Sequence, residues 1–305
     1  SNIDRLFNIN MKAFNKIAII GKYPSIEESS DIHDQLIQLV GHLSQKPFEL
    51  YIEEKTQKQI NLDGVQSISL KDIGSKVDLA IIVGGDGTLI GVARNMVHSD
   101  TPLIGVNQGR FGFLADLNTN SMFSNIDTIL NGEFIEDKRM LIKTKIMRGN
   151  KKVYESLSLN DVVIKSGVRL IELDVIINDA FVHRQRSDGI IVSTPTGTTA
   201  YALSAGGPIL HPNLDAISIV PISPHTLSNR PIAVNAESQI NIKIINMNEA
   251  YASIDGQIKF PLDIRDVIQI SKAKESISIL HPKDYCYFEM LRNKLNSTSQ
   301  NSNNL

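Results

Sequence analysis

Leu79-Ala80-Ile81-Ile82-Val83, running without a break into Gly84-Gly85-Asp86-Gly87-Thr88, is the stretch on which the fold turns. An unbroken apolar run of strand length reads as a strand buried on both faces, as parallel strands under helices are. The flanks agree. Lys16 to Gly21 (KIAIIG) is a shorter β-branched strand followed by a turn at Tyr23-Pro24-Ser25. Ile32, Leu36, Leu39, Val40 and Leu43 then recur every three or four positions, the stripe of a helix packed on one face. Pro47 stops that helix, Phe48 to Ile52 is a second strand, and Leu79 to Val83 is the third. Pro102 to Val106 is a fourth, and Met122 to Leu130 is a helix ended by Asn131-Gly132. Strands alternating with helices predict an α/β fold, with a doubly wound N-terminal domain over residues 1–137.

After Asp137 the texture changes. Leu141 to Met147, Val153 to Ile164, Ile171 to Ile177 and Ile240 to Ile245 alternate apolar and polar residues. Arg148-Gly149-Asn150 and Asn178-Asp179 supply turns, so residues 138–284 read as an antiparallel β-rich domain with one wet face. Tyr285 to Leu295 is expected to be a helix packing back on the first domain. Residues 296–305 (NSTSQNSNNL) are low in complexity and are expected to be a disordered tail.

Bulk properties remove several classes of function. With 305 residues the chain has room for two domains, and at 42% hydrophobic it can bury a core in each. A net charge of -2, without a basic patch carrying aromatics, argues against nucleic acid as the main ligand. No apolar run approaches the roughly 20 residues of a membrane helix, and Ser1 to Phe14 lacks the apolar stretch of a secretory signal. The single cysteine, Cys286, excludes an internal disulfide and fits a reducing compartment. A soluble, cytoplasmic protein is the expectation.

The glycine loop after the third strand carries the chemistry. Glycines let backbone N–H groups approach phosphate oxygens, and a helix N-terminus favours negative charge. A P-loop is excluded, because GxxxxGK[ST] is absent. Gly85, Gly87 and Gly91 give GxGxxxG, one residue off the dinucleotide fingerprint, and the next strand ends in Val106-Asn107 with no acid for a ribose. Asp86 separates the remaining readings. A carboxylate in a phosphate loop repels its ligand unless it binds a cation or takes a proton from a hydroxyl, and both are jobs in phosphoryl transfer. The plain alternative is a solvated Asp-Gly turn.

A second cluster, residues 186–210, reads RSDGIIVSTPTGTTAYALSAGGPIL. Its hydroxyls and glycine lead into a helical stretch at Ala200 to Ser204, where they could hold phosphate or ribose oxygens or simply cap a helix. Taken together, GGDGT, Asn160-Asp161, the 186–210 segment and Pro224-His225-Thr226-Leu227-Ser228-Asn229-Arg230-Pro231 resemble the NAD kinase family, of the ATP-dependent bacterial type. The resemblance runs from about Ile17 to Leu295 and includes Gly109-Arg110-Phe111-Gly112-Phe113-Leu114 and His281-Pro282-Lys283-Asp284-Tyr285. GGDGT alone is also like the loop of diacylglycerol and sphingosine kinases.

The resemblance implies transfer of the γ-phosphoryl of ATP to the 2′-hydroxyl of the adenosine ribose of NAD, giving NADP. It implies a divalent cation, Mg²⁺, held by ligands the sequence does not identify, and a homodimer or homotetramer. It makes Asp86 the base and places Asp86 and Gly87 at NAD, with Gly84, Gly85 and Thr88 at the ATP phosphates. Asn160 and Asp161 match the family's ribose-contacting pair. Arg186 and Asp188 match its RSDG segment, and Thr199, Ala200, Tyr201 and Ser204 its TAYxxS segment. Arg169 and Gln257 are further implied NAD contacts. A lipid kinase and a regulatory protein that binds NADP without turnover are the rival readings. His183, His211 and His281 lack metal-ligand spacing, and Cys286 reads as buried filler.

Overall fold

The computed structural model describes residues 14–21, 29–107, 112–115, 117–118, 121–167, 169–225 and 229–301. The apolar run at 79–83 is β4 (Leu79–Val83), and every residue in it is buried. It lies between β1 (Lys16–Gly21) and β5 (Leu103–Asn107), parallel to both. Strands β2 (Glu49–Glu53) and β3 (Gln66–Ile68) continue the sheet beyond β1 in the order β3-β2-β1-β4-β5, parallel throughout. Strand β6 (Leu117–Asn118) pairs with β5.

Helix α1 (Ser29–Ser44) buries the stripe Ile32, Leu36, Leu39, Val40 and Leu43, which joins Ile17, Ile19, Leu79 and Ile81 in one core. Truncating one of these leucines to alanine would cost about 2–5 kcal/mol through lost burial and the cavity left behind. Helices α2 (Glu54–Ile60), α3 (Ile73–Lys76), α4 (Asp86–Met96) and α5 (Met122–Leu130) complete the α/β unit. The chain builds outward from β1 to β3, then returns to the other side of β1 with β4. Such a reversal leaves a crevice at the carboxyl ends of the two central strands, which is where Gly84–Thr88 falls.

The chain divides into two compact units, Ser1–Asp137 with Ile277–Leu305, and Lys138–Ser276. The second is antiparallel. Strand β7 (Phe134–Arg148) enters it and pairs with β8 (Lys151–Ser158). A six-stranded sheet follows from β9 (Asp161–Ser166), β12 (Gly189–Ser193), β13 (Ala216–Ile222), β14 (Ile232–Asn235), β16 (Ala250–Ile254) and β17 (Ile258–Pro261). Its order is β14-β13-β12-β9-β16-β17. Facing residues come from β10 (Ile171–Ile177), β15 (Ile240–Asn246) and β18 (Val267–Pro282), which runs on into the first unit, and β11 (Ala180–Ser187) pairs with β10.

Strand parity sorts the six-stranded sheet. Val162, Ile164, Ile190, Val192, Ala252 and Ile254 point into the main core with Leu173, Ile242 and Ile268. The alternate residues turn to the opposite face, where Val163, Ile191, Val220 and Ile222 meet Ala202 of the one-turn helix α6 (Tyr201–Ser204). That leaves Asp161 and Lys165 on the same face as Val163.

Several expectations are corrected. Val153 to Ile164 is two strands, because the chain turns at Leu159-Asn160 between β8 and β9. The third strand in sequence is the short β3, so the apolar run is the fourth. The β-rich unit ends at Ser276 rather than at residue 284. The tail expected to be disordered from residue 296 is helical as far as Asn301, the end of α7 (Tyr287–Asn301). Cys286 is exposed instead of buried. The Tyr23-Pro24-Ser25 turn, Gly109-Arg110-Phe111 and Thr226-Leu227-Ser228 lie outside the described residues.

Candidate active site

In the first unit the glycine loop opens α4. Gly85 caps the helix, and its carbonyl accepts from the Thr88 and Leu89 amides. Asp86 is the first helical residue, where the macrodipole favours a negative charge. A crevice of about 650 Å³ lies here, lined by Ile20 and Gly21 at the end of β1, by Gly85, Gly87 and Thr88, and by Gly91 and Arg94 of α4. It stands at the β1/β4 switch point, and its size suits a nucleotide. Gly84 is buried beneath it, its amide donating to Val106 O at 2.9 Å.

The puzzle of a carboxylate in a phosphate loop has a geometric answer. Asp86 Oδ2 accepts from the Phe113 amide at 2.7 Å, and Oδ1 accepts from the Leu114 and Ala115 amides at 3.1 and 3.0 Å. Three backbone donors occupy most of its acceptor positions. An ionised carboxylate offers roughly four acceptor positions, so one remains. The loop reaches this close because residue 112 is glycine. A Cβ there would stand 2.7 Å from Asp86 Cγ and would overlap Oδ1.

In the second unit the segment Leu159-Asn160-Asp161 is clamped from both sides. Asp255 accepts all three amides, Leu159 at Oδ2 (3.1 Å), Asn160 and Asp161 at Oδ1 (2.8 and 3.1 Å). The Asn160 carbonyl accepts from the Thr194 amide at 2.9 Å and from Thr194 Oγ1 at 3.2 Å. Gly197 packs against that carbonyl so tightly that a Cβ would overlap it and stand 2.6 Å from Ser193 Oγ.

These contacts favour the capping role for the 193–199 hydroxyls that the sequence left open. Ser193, Thr194, Thr196 and Thr198 are buried. Ser193, Thr194 and Thr198 donate to backbone carbonyls, and Thr196 Oγ1 accepts from Arg139. Thr199 Oγ1 donates to Thr196 O at 3.0 Å. Within the cluster, Ser193 and Thr194 brace the carbonyls of Leu159 and Asn160.

Asp161 itself is different. It is 3% exposed, and among the described residues its carboxylate accepts no hydrogen bond. Burial, reinforced by repulsion from the Asp255 carboxylate, pushes it up to about 7. It lines a cavity of about 270 Å³ with Asn160, Ala200, Tyr201, Tyr251, Ser253 and Asp255. A buried acceptor facing an open cavity is suited to a ligand that brings hydroxyl donors.

Of the residues expected at NAD, four therefore line this cavity: Asn160, Asp161, Ala200 and Tyr201. Thr199, Ser204, Arg169, Arg186, Asp188 and Gln257 are not among its lining residues. Arg186 is exposed on β11, opposite Glu172, and its carbonyl accepts from the His225 amide. Asp188 is held through its backbone, the carbonyl accepting from Ser166 and the amide donating to Ile222 O. Arg169, Ser204 and Gln257 are exposed. Asp255 was missed by the sequence reading, and only its Asp-Gly turn with Gly256 could have drawn attention to it.

Two family models match the chain, the ATP-NAD kinase N-terminal domain at residues 32–134 and the ATP-NAD kinase C-terminal domain at 159–281. A curated NAD kinase of Nitrosomonas eutropha is 42% identical over 94% of this chain and 96% of its own length. The chain belongs to the NAD kinase family. Another member, the NAD kinase of Thiobacillus denitrificans, is 39% identical over 92% of this chain and 97% of its own. The fold is shared with yeast NADH kinase, solved with NADH, at TM-score 0.84 and 22% identity over 93% of this chain and 88% of that one. It is also shared with an NAD kinase from Archaeoglobus fulgidus, solved with ATP, at TM-score 0.71 and 21% identity over 92% and 99%.

Proposed function

We propose that the protein transfers the γ-phosphoryl of ATP to the 2′-hydroxyl of the adenosine ribose of NAD, yielding NADP. Membership of the NAD kinase family supports the reaction. The observation that carries the residue-level reading is Asp161, a buried carboxylate without a donor of its own, facing a cavity. Ribose hydroxyls would supply the missing donors there, and Asn160 beside it offers an amide.

In this reading Gly84, Gly85 and Thr88 receive the ATP phosphates at the start of α4, where amides and macrodipole favour negative charge. Asp86 is the base and contacts NAD together with Gly87. Its remaining acceptor position takes the 2′-hydroxyl, and three amides fix the direction in which it points. Because the alcohol's proton leaves late in a loose transition state, that alignment contributes alongside basicity. Thr199, Ala200, Tyr201 and Ser204, with Arg169, Arg186, Asp188 and Gln257, complete the proposed NAD contacts.

Mg²⁺ is proposed to arrive on the ATP phosphates. Among the described residues no group of three or more His, Cys, Asp or Glu side chains is placed to hold a metal, which suits a cation carried mainly by phosphate oxygens. When bound, it would neutralise charge developing on the transferring group. Self-association as a homodimer or homotetramer is supported by Phe181 and Val182, apolar and exposed on β11 at one end of its sheet. No helix among the described residues is long and apolar enough to cross a membrane, which is compatible with work in the cytoplasm.

A coupled assay tests the reaction: ATP, Mg²⁺ and NAD are incubated with the protein, and NADP is read by an NADP-specific dehydrogenase. NADP formation supports the reading. Phosphorylation of a diacylglycerol in its place would favour a lipid kinase, and tight NADP binding without turnover a regulatory protein.

A further inference from the structure

We propose that Lys165 and Lys259 form an anion subsite on the rim of the second unit's cavity and hold the diphosphate of the dinucleotide. The inference rests on the reading of that cavity as the NAD site. Both lysines line it. They come from β9 and β17, which flank β16, and register puts Lys165 opposite Tyr251 and Lys259 opposite Ser253. All four lie on the face that carries Asp161 and Val163, away from the main core. The two lysine-bearing strands are two strand spacings apart, about 10 Å.

Neither ammonium is neutralised. Among the described residues no carboxylate lies within ion-pair distance of Lys165 or Lys259, whereas four other lysines of this unit are paired. Lys143, Lys145 and Lys152 meet Glu155, and Lys272 meets Asp215 and Glu237. Instead Lys259 Nζ stands over an aromatic ring, 4.9 Å from the Tyr251 centroid, and Lys165 Nζ, 5.6 Å from the Tyr201 centroid, donates to the Tyr201 hydroxyl at 3.5 Å. A ring face orients a cation and leaves its charge available to an anion.

Size completes the case. At about 270 Å³ the cavity is at the lower edge of ligand pockets, room for one nucleoside but not for a dinucleotide. With the ribose beside Asp161 on the inside, the phosphates must leave through the rim, where the two cations are.

Calorimetry on the full chain decides it, with wild type, Lys165→Gln, Lys259→Gln and the double variant each titrated with NAD, NADP, adenosine and inorganic pyrophosphate. Each single change is expected to weaken NAD and NADP about tenfold, the loss of one charge-assisted contact, with adenosine unaffected. Unchanged NAD affinity, or NAD and adenosine weakened alike, overturns the subsite. Weakening of NADP alone overturns the diphosphate assignment in favour of the 2′-phosphate. If wild type fails to bind NAD at all, the functional reading falls by itself, and pyrophosphate still judges the lysines. Weaker pyrophosphate binding in the double variant upholds the subsite, and unchanged binding rejects it.

Discussion

Asp161→Asn should gain stability relative to the wild type as pH rises. The folded chain holds the Asp161 carboxyl at about 7, against 3.8 for a free one, because burial and Asp255 oppose its charge. Between those values the folded state binds more protons than the unfolded state, so the free energy of unfolding falls as pH rises from about 4 and levels off above about 7. At 1.36 kcal/mol per pH unit the whole interval is worth about 4 kcal/mol. Cavity water screens part of the charge, which makes about 2–4 kcal/mol the expected loss. Asparagine keeps the volume and cannot ionise, so the variant lacks this dependence. Urea unfolding of both proteins at pH 5 and pH 8.5 reads the difference directly. Relative to wild type, Asp161→Asn should gain about 1–3 kcal/mol between the two pH values, since part of the interval lies below pH 5, with NAD affinity reduced at both. Parallel pH profiles would refute the claim that Asp161 is a buried, unpartnered acid.

The remaining predictions follow from single contacts. Gly112→Ala puts a methyl group into the Asp86 carboxylate and should lower kcat at least tenfold on the estimate for a displaced catalytic group, with the thermal midpoint little changed. Normal turnover would show that the 112–115 loop does not set Asp86. Gly197→Ala should destabilise the chain by about 1–3 kcal/mol and raise KM for NAD, because the methyl displaces the Asn160 carbonyl. An unchanged melting curve would rule out that packing. Asp86→Asn loses acceptor capacity for the 113–115 amides as well as basicity, so kcat should fall by about 10²–10⁴ while NAD still binds, and amide exchange at 113–115 should quicken. Loss of NAD binding together with turnover would assign Asp86 to loop structure instead.

The sequence exposed what is local and periodic. β4 was legible as an unbroken apolar run, and α1 as a stripe spaced by three and four. Helix α2 was not, since EKTQKQI is polar nearly throughout and starts on the Glu53 side chain, which accepts from the Lys55 and Thr56 amides. β3, with three residues, is too short for any period. At the site, Asn160, Asp161, Ala200 and Tyr201 were found through resemblance and do share one cavity. What sequence could not give is partnership across long separations. Asp255 holds amides 94 to 96 positions away, and Thr194 bonds the carbonyl of Asn160 34 positions away. For that reason the sequence left the hydroxyls of 193–199 open between ligand-holding and capping, and gave no sign of Lys165 and Lys259.

The transfer itself is the most direct test of the account. ATP labelled at the γ-phosphorus, with Mg²⁺ and NAD, should give a product whose label sits on the 2′-oxygen of the adenosine ribose, located by phosphorus NMR and mass spectrometry. Label recovered only as inorganic phosphate, or on any other oxygen of NAD, would contradict it.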